Sequence, residues 1–487
     1  MTIDLDGAAD LIADAWRDEL IPRLQEYIEI PALSPAFDPD WEASGYLGAA
    51  VDLVEGWLSS RQEAGLVKGM VVYRHELAGR TPVVVAEIEP FGPNAPTDGG
   101  TTVLYGHLDK QPEMEGWRED LSPWTPVMEG SRLYGRGGAD DGYAAFASLA
   151  AIEAVQQSGG SHGRLVVLIE ASEESGSPDL PAHVEALAER LGQVDLVVCL
   201  DSGCATYDTL WLTTSLRGLV DGVLDIRIVT EGLHSGGYSG VVPSTFRIAR
   251  QLLNRIEDAD SGRVLVEAAT VEVPAHRVAE AEAMAALLGE ASIEHVPYEP
   301  GAGAMVDDNT QRLLNKTWRP ALSYIGVDGM PPTGAAGNVL RPRTALKLSL
   351  RIPPTAAPQA VIDELTKTLE ADPPYGASVT FADADGAAGW NAPDLAPWLK
   401  DAIDGASKRW FGQGMQLYGE GGTIPFMGML GERFPQAQFV ITGVLGPESN
   451  AHGPNEFLDV AYAEKLTCCL AEIIDRAATV EVSAGHG

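Results

Sequence analysis

Two short stretches, Tyr105-Gly106-His107-Leu108-Asp109 and Glu170-Ala171-Ser172-Glu173-Glu174-Ser175-Gly176, decide the fold of this 487-residue chain. Each stretch ends a run of apolar residues, at 102–105 and 165–169, that is typical of a buried strand. A third apolar run, at 194–200, is followed directly by Asp201. Open α/β sheets bind their ligands at the carboxyl ends of the strands. The sequence therefore predicts an α/β domain in which three strands deliver polar groups to one sheet edge.

The residues around these stretches continue the alternation of strands and helices. Between them lies Tyr134-Gly135-Arg136-Gly137-Gly138-Ala139-Asp140-Asp141, followed by an alanine-rich helical pattern over 143–157. Upstream, helical spacing covers 8–29, with a kink or break expected at Pro22, and a second helix is predicted over 44–63. Strands are predicted at 69–73 and 82–88. These elements predict a mixed, mostly parallel sheet flanked by helices.

The pattern changes near residue 214. Alternating strands are predicted at 219–229 and 345–352, helices at 244–257 and 358–370, and a last strand at 378–381. This pattern indicates a smaller α+β unit inserted into the larger one, with a return linker at 382–396. The predicted organisation is a catalytic domain formed by 1–213 and 385–487, with an inserted domain at 214–384.

Composition excludes some classes of partner. The 33 Lys and Arg residues face 70 Asp and Glu residues, which gives a net charge of −37. Nucleic acids and anionic membranes need a basic surface, so neither is an expected partner. The first residues, Met1 to Asp6, lack the basic and apolar regions of a secretory signal. The four cysteines fit no zinc motif and indicate reduced core residues, so a cytoplasmic protein is expected.

The polar residues that follow the strands are metal ligands by type. The chain presents a His-x-Asp at 107–109, Asp140, the adjacent Glu173 and Glu174, Asp201, and a late His452. Imidazole and carboxylate without thiolate suit Zn²⁺, Mn²⁺ or Co²⁺, and a bridged pair of such ions activates water for attack on a carbonyl. Taken singly, each residue has a plainer interpretation, such as a structural histidine, a helix cap or a solvated turn. The ordered series favours the metal site.

This ordered series resembles the M20 family of di-metal peptidases, which includes carnosinase-like dipeptidases, carboxypeptidases, desuccinylases and aminoacylases. The resemblance covers nearly the whole chain, including the insertion, which in that family is a lid that also mediates dimerisation. Its most specific part combines Gly-Arg-Gly-x-x-Asp at 135–140 with Glu-Glu-Ser-Gly-Ser at 173–177. One departure is Gly142, where relatives often carry lysine. That lysine is not a metal ligand in the family, so the departure concerns the subfamily and substrate.

The resemblance implies a role for each residue of the metal site. One metal ion would be held by His107, Asp140 and Asp201, and the other by Asp140, Glu174 and His452, with Asp140 bridging. Asp109 would orient His107 from the second layer of contacts. Glu173 would act as the general base that takes a proton from water and returns it to the leaving amine.

The resemblance also implies residues that bind the substrate. His234 would reach from the partner subunit to the oxyanion, and Arg351 would bind the substrate carboxylate through its planar fork. Asn338 lies where relatives carry a polar residue, and Gly422 and Thr423 lie in a loop that holds the same end of the substrate. Plainer interpretations are a loop histidine for His234 and a surface ion pair for Arg351.

The function implied by the resemblance is a homodimeric hydrolase with two divalent metal ions per subunit. Zn²⁺ is the expected ion, with Mn²⁺ and Co²⁺ as alternatives. The expected substrate is a dipeptide or short peptide with a free C-terminal carboxylate. The alternative is an N-acyl or N-succinyl amino acid amidohydrolase that uses the same site. A non-catalytic binding protein is a third hypothesis, which the filled metal and base positions disfavour.

Overall fold

The computed structural model describes residues 3–96, 99–292, 296 and 298–479. The chain divides into two compact units. The first comprises Met1–Thr213, Ala392–Leu417 and Met429–Gly487, and the second comprises Thr214–Asn391 and Tyr418–Gly428. The first segment of the second unit ends at Asn391, seven residues beyond the predicted end of the insertion at 384. The second unit also includes the separate segment Tyr418–Gly428.

The first unit is built on a six-stranded sheet of mixed direction. Four neighbouring strands are parallel, and two further strands join one side of them by antiparallel pairing. This arrangement confirms the predicted α/β class with a mostly parallel sheet. In spatial order the strands are Met70–His75, Val83–Ile88, Arg164–Glu170, Thr101–His107, Val194–Cys199 and Gln438–Ile441.

Helices cover this sheet, and the one that follows the glycine-rich turn is the most deeply buried. Helix Tyr143–Gln157 presents buried residues on nearly every side, because its many alanines let neighbouring elements approach closely. The last helix, Val460–Ala478, is capped by the Asp459 side chain, which accepts a hydrogen bond from the Tyr462 amide. Other helices of this unit are Leu5–Ala15, Ile21–Ile28, Trp41–Ser44, Tyr46–Glu63, Leu180–Ala186, Ala188–Leu191 and Pro397–Trp410.

The first helical region differs from its prediction at Pro22. The chain stays helical from Leu5 to Ile28 through a widened π-type turn, Trp16–Leu20. Pro22 lies in the first turn of Ile21–Ile28, where a missing backbone N–H costs little. The irregularity therefore precedes the proline and no break occurs there. A small antiparallel sheet of Val127–Glu129, Arg132–Tyr134 and Phe457–Asp459 completes the unit.

The second unit is an antiparallel four-stranded sheet packed against helices. Strand Gly218–Arg227 alternates buried and partly buried positions, as expected for one face turned to a core. In spatial order the strands are Ala321–Asp328, Arg343–Ile352, Gly218–Arg227 and Ser378–Ala387. The helices are Ser235–Tyr238, Thr245–Leu253, Ala275–Leu288, Asn309–Thr317 and Pro358–Glu370, and short strands lie at Leu233–His234, Val339–Leu340 and Trp390–Asn391.

The predicted linker at 382–396 is partly wrong. Strand Ser378–Ala387 continues through its first half and pairs with Gly218–Arg227, with an irregularity between Ala382 and Asp385. Edge strands tolerate the Ala, Asp and Gly residues that look like linker composition, because one side needs no partner strand. The chain passes from the first unit to the second within strand Trp211–Leu216 and again within strand Gln416–Glu420. It returns to the first unit within helix Pro425–Arg433.

Two further findings concern membranes and cysteines. Among the described residues, no helix combines the length and apolar character needed to cross a bilayer. The four cysteines, Cys199, Cys204, Cys468 and Cys469, are free thiols and are buried.

Candidate metal centre

Three neighbouring parallel strands bring polar side chains to one edge of the main sheet. His107 is the last residue of Thr101–His107, and Glu173 and Glu174 follow Arg164–Glu170 after a short turn. Asp201 lies just beyond the end of Val194–Cys199. Because parallel strands end at the same edge, these side chains meet there.

The fourth contributor is the glycine-rich turn before helix Tyr143–Gln157. The turn passes through Gly137 at a φ of 81°, and the Asp140–Asp141 peptide bond is cis. Gly106 lets the strand that carries His107 approach this region, since a Cβ there would lie 2.6 Å from the Ala144 Cβ. The His107 amide then donates a hydrogen bond to the Asp141 carboxylate at 3.3 Å.

The carboxylate of Asp140 stands between two histidines. Its Oδ1 lies 3.3 Å from His107 Nε2, and its Oδ2 lies 3.0 Å from His452 Nε2. His107 Nε2 is also 3.8 Å from Asp201 Oδ1, and His452 Nε2 is 3.3 Å from Glu174 Oε2. Two groups of donor atoms result, and they share Asp140. We call His107, Asp140 and Asp201 the first ligand group, and Asp140, Glu174 and His452 the second.

These distances fit divalent metal ions. Ligand bonds of 2.0–2.2 Å in a tetrahedral site place the donor atoms roughly 3.3–3.6 Å apart. The four measured contacts of 3.0–3.8 Å lie around that range. Imidazole nitrogen and carboxylate oxygen without sulfur form a donor set that suits Zn²⁺, Mn²⁺ or Co²⁺. The residues present therefore fit the metal pair that the sequence predicts.

Burial and the neighbouring charges shift the pKa values of the carboxyl groups in this centre. Burial, followed by the charge of Asp140, raises the pKa of Glu174 to about 8. Burial likewise raises the pKa of Asp201. Burial alone would raise that of Asp140 too, but hydrogen bonds with His107 and His452 hold the pKa of this carboxyl below its usual range. Cations in such a site stabilise the ionised carboxylates and displace their protons.

His452 shows the complementary effect. Partial burial would lower its pKa, but the hydrogen bond and charge of Asp140, with the charge of Glu174, raise the pKa of this imidazole to about 9. A histidine binds a metal ion only when neutral. Metal binding at the second ligand group therefore competes with this proton and strengthens as the pH rises toward that value.

Asp109 differs from its prediction in detail. The His107 Nδ1 lies 3.1 Å from the main-chain carbonyl of Asp109 and 3.6 Å from its carboxylate. The carboxylate instead accepts hydrogen bonds from the backbone amides of Glu173 and Glu174, both at 3.0 Å. Asp109 is fully buried. It therefore joins the strand end that carries His107 to the loop that carries both glutamates.

Glu173 belongs to neither ligand group. Burial, followed by the charge of Asp201, raises the pKa of Glu173 well above its usual range. A glutamate that belongs to neither ligand group is compatible with the predicted general base.

The sequence interpretation missed two residues that hold this loop. Gln111 donates a hydrogen bond to the Glu174 carboxylate at 2.7 Å. Buried Glu170 accepts hydrogen bonds from the hydroxyls of Tyr105 and Ser177 at 2.6 and 2.8 Å. Gln111 follows the His-x-Asp motif by two positions, and Glu170 opens the motif of the glutamate pair. The sequence shows that Gln111 and Glu170 adjoin these motifs, but it does not indicate which atoms their side chains contact.

In the second unit, the predicted substrate residues lie in two places. Exposed His234 lies on a short strand opposite Val339, and the Asn338 carbonyl accepts a hydrogen bond from the Ser235 amide at 2.9 Å. Elsewhere in this unit, Arg351 donates to the Thr423 hydroxyl at 2.8 Å.

Arg217 contacts Thr423, the partner of Arg351, and was not predicted from the sequence. Its carbonyl accepts a hydrogen bond from the Thr423 hydroxyl at 2.6 Å, and its guanidinium donates to the Gly421 carbonyl at 3.1 Å. Burial, with the charge of Arg351, lowers the pKa of Arg217 to about 10. Gly422 lies in the same loop and adds no side chain. Two guanidiniums therefore flank this loop, a setting that suits an anionic group.

Comparison with known proteins identifies the family. Residues 103–476 match the peptidase family M20/M25/M40, and the chain belongs to that family. The chain is similar to the cysteinylglycine-S-conjugate dipeptidase of Corynebacterium striatum, with 27% identity over 441 residues that cover 86% of this chain and 88% of the relative. It is also similar to the Cys-Gly metallodipeptidase of Schizosaccharomyces pombe, with 25% identity over 478 residues that cover 94% and 95%.

A solved structure shows the same fold. The dipeptidase Dug1p from Saccharomyces cerevisiae aligns with a TM-score of 0.75 and 21% identity, over 99% of this chain and 100% of the other. The resemblance found from the motifs is therefore confirmed at the level of family and fold.

Proposed function

We propose that this protein is a dipeptidase that depends on two divalent metal ions. The observation that carries the proposal is the position of Asp140, whose two carboxylate oxygens face histidines of different ligand groups. His107 and Asp201 would complete one metal site, and Glu174 and His452 the other. When bound, the ions supply Lewis acidity and lower the pKa of a water molecule.

The chain's own residues have separate tasks around that centre. Glu173 accepts the proton of the attacking water and returns it to the leaving amine. Asp109 fixes the loop of Glu173 and Glu174 through two backbone hydrogen bonds, so that one glutamate stays free for proton transfer while its neighbour serves as a ligand. This division of labour is supported by the absence of Glu173 from both candidate ligand groups in the described part of the chain.

The substrate class follows from the second unit and from the relatives. Arg351 binds the free carboxylate of the substrate through its guanidinium, which suits that ion. Thr423 accepts a hydrogen bond from Arg351 and donates its own proton to the Arg217 carbonyl, so it takes part by orienting Arg351. Gly422 leaves room in the loop, and Asn338 contributes a polar contact. The two relatives described above are both named as dipeptidases of cysteinylglycine or its conjugates. A small dipeptide with an unblocked C-terminus is therefore the proposed substrate of this chain.

The proposed assembly is a homodimer formed through the second unit. His234 acts in the partner's active site, where its imidazole stabilises the oxyanion of the tetrahedral intermediate. The exposure of His234 is compatible with such a role, since the ring is accessible to another chain. The buried free thiols fit the reducing cytoplasm that we propose as the location.

The test is hydrolysis of a substrate panel by chelator-stripped protein. Each dipeptide is paired with its C-terminal amide and with the N-acyl form of its second residue, and Zn²⁺, Mn²⁺ or Co²⁺ is added back. We expect metal-dependent release of amino acids from dipeptides and at least a tenfold loss on the amides. Cleavage of the acylated compounds alone would assign the protein to the deacylases. No hydrolysis with any metal would contradict the proposal.

A further inference from the structure

A fully buried ion pair lies beside the candidate metal centre. Arg136 Nη1 and Glu456 Oε2 are 2.5 Å apart, and the two side chains are 1% and 0% exposed. Arg136 is the arginine of the Gly-Arg-Gly motif, and neither residue belongs to a ligand group. The second Glu456 oxygen accepts a hydrogen bond from the Gly137 amide at 2.9 Å. The second Arg136 nitrogen donates to the Gly453 carbonyl at 2.8 Å.

These bonds join two segments that are far apart in sequence. Gly137 lies three residues before Asp140, and Gly453 directly follows His452. A third bond, from the Gly135 amide to the Glu456 carbonyl at 3.0 Å, ties the same two segments. The ion pair therefore connects the backbone segment before Asp140 to the segment that carries His452.

The segment that carries His452 needs such support. Asn450, His452 and Asn455 have φ values of 55°, 63° and 61°, in the left-handed region. Asparagine adopts this conformation readily, but a histidine does so at a cost in backbone strain. His452 keeps it only where the surrounding structure holds it. The hydrogen bond from Arg136 acts at the Gly453 carbonyl, one residue beyond His452, and so restrains the backbone of this segment.

We propose that the Arg136–Glu456 pair is a positioning device that sets the metal affinity of the second ligand group. This inference rests on the metal centre of the proposed function. The bonds of the pair reach the neighbours of His452 and Asp140, and none reaches the strand ends that carry His107 and Asp201. The first ligand group therefore keeps two of its three members undisturbed when the pair is changed.

A purely structural role predicts something different. A buried ion pair adds little net stability compared with apolar residues of the same size, because both charges lose their hydration. A structural pair would change unfolding without separating the two metal sites. A positioning pair changes one metal site in protein that remains folded.

The test is a Co²⁺ titration of chelator-stripped full-length protein, read by visible absorption. Arg136→Lys keeps the charge but loses the fork that reaches two acceptors, and Glu456→Gln keeps the shape but loses the charge. We expect two Co²⁺ equivalents in the wild type. In each variant we expect one equivalent weakened about 10- to 100-fold, as is usual for residues that support metal ligands, and the other, whose site shares only Asp140 with the changed region, weakened much less.

A matched control comes from another ion pair of the same unit. Arg61 and Glu153 lie 3.2 Å apart and are 15% and 16% exposed, and neither belongs to a ligand group. Arg61→Lys should leave both equivalents unchanged. If either single variant fails to fold by circular dichroism, Arg136→Met combined with Glu456→Leu refills the space without charge, and the same loss of one equivalent is expected.

The outcomes separate this inference from the proposed function. Folded variants that bind both equivalents at wild-type affinity, or that weaken both equally, would overturn the positioning role. A wild-type protein that binds fewer than two ions would contradict the metal centre itself, and the inference with it. The wild-type titration alone tells these two failures apart.

Discussion

At the residue scale, substitution of Glu173 tests the proposed chemistry most directly. Glu173→Gln removes the proton acceptor but keeps the size of the side chain. We expect turnover to fall about 10²- to 10⁴-fold, which is the usual contribution of a general base. Two metal equivalents should remain, because Glu173 lies outside both ligand groups. Steady-state kinetics with metal analysis of the same sample measures both. Loss of a metal ion together with activity would make Glu173 a ligand instead.

The matched control for this variant is Glu189→Gln. Glu189 is an exposed glutamate of the same unit. It should change neither turnover nor metal content.

Glu170 gives a pH-dependent prediction. Burial, followed by the charge of Asp109, raises the pKa of Glu170 to about 7 from its ordinary value of 4.5. The folded state therefore holds this proton more tightly than the unfolded state. The stabilisation is complete below pH 4.5 and is lost as the pH rises through 7, by on the order of 3 kcal/mol for metal-free protein.

Glu170→Gln removes this dependence and keeps the hydrogen bonds from Tyr105 and Ser177 at a neutral side chain. The metal-free variant should match the wild type near pH 4.5 and exceed its stability at pH 8. Urea unfolding at both pH values measures the difference. A constant difference between the two proteins from pH 4.5 to 8 would show that Glu170 titrates normally.

The residues of the metal centre were predictable from the sequence because their types and order along the chain carry the information. His107, Asp140, Glu174, Asp201 and His452 each follow a recognisable strand or turn, and the structure brings them together. The atoms that each side chain contacts were not predictable. The Asp109 carboxylate bonds to two backbone amides of a loop that is distant in sequence, and no periodicity encodes such a contact.

At the scale of secondary structure, Lys110 connects the end of helix Ile21–Ile28 to the segment that follows the strand of His107. Its Nζ donates hydrogen bonds to the carbonyls of Tyr27 and Ile30, at 2.7 and 2.8 Å, where helix Ile21–Ile28 ends. Lys110→Met keeps most of the apolar stem but leaves both buried carbonyls without this donor. We expect a loss of about 2–4 kcal/mol in the free energy of unfolding, because each unsatisfied group costs about 1–3 kcal/mol.

Urea unfolding of metal-free protein measures this loss. Lys408→Met is the control, because Lys408 pairs with Asp404 on the surface and its side chain is 63% exposed. That variant should cost less than about 1 kcal/mol. Equal losses in the two variants would show that the helix end does not depend on Lys110.

Elements with strong periodicity were predictable, and those set by tertiary pairing were not. Helices Tyr143–Gln157 and Pro358–Glu370 have their predicted bounds. The end of strand Ser378–Ala387 was missed, because its pairing with Gly218–Arg227 overrides a composition that favours loops. The turn at Trp16–Leu20 was missed for a related reason. A widened helical turn has no sequence signature apart from the proline that follows it.

At the scale of the whole molecule, the proposed dimer makes each active site depend on two chains. His234→Ala should lower turnover about 10²- to 10³-fold, which is the usual cost of losing one donor to an oxyanion. Glu173→Ala should be inactive for a different reason, since its own subunit lacks the base. In a heterodimer of these two variants, one site combines an intact Glu173 with an intact His234 from the partner. The other site lacks both residues.

Mixing the two inactive proteins therefore tests the assignment of His234 to the neighbouring subunit. Random exchange makes about half of the dimers heterodimers, each with one of two sites complete, so about a quarter of wild-type activity should return. Differently tagged subunits and native mass spectrometry verify the exchange. Mixing His234→Ala with the Glu173→Ala/His234→Ala double variant is the control, because none of its dimers contains an intact His234. An inactive mixture with verified heterodimers would place His234 in the active site of its own chain.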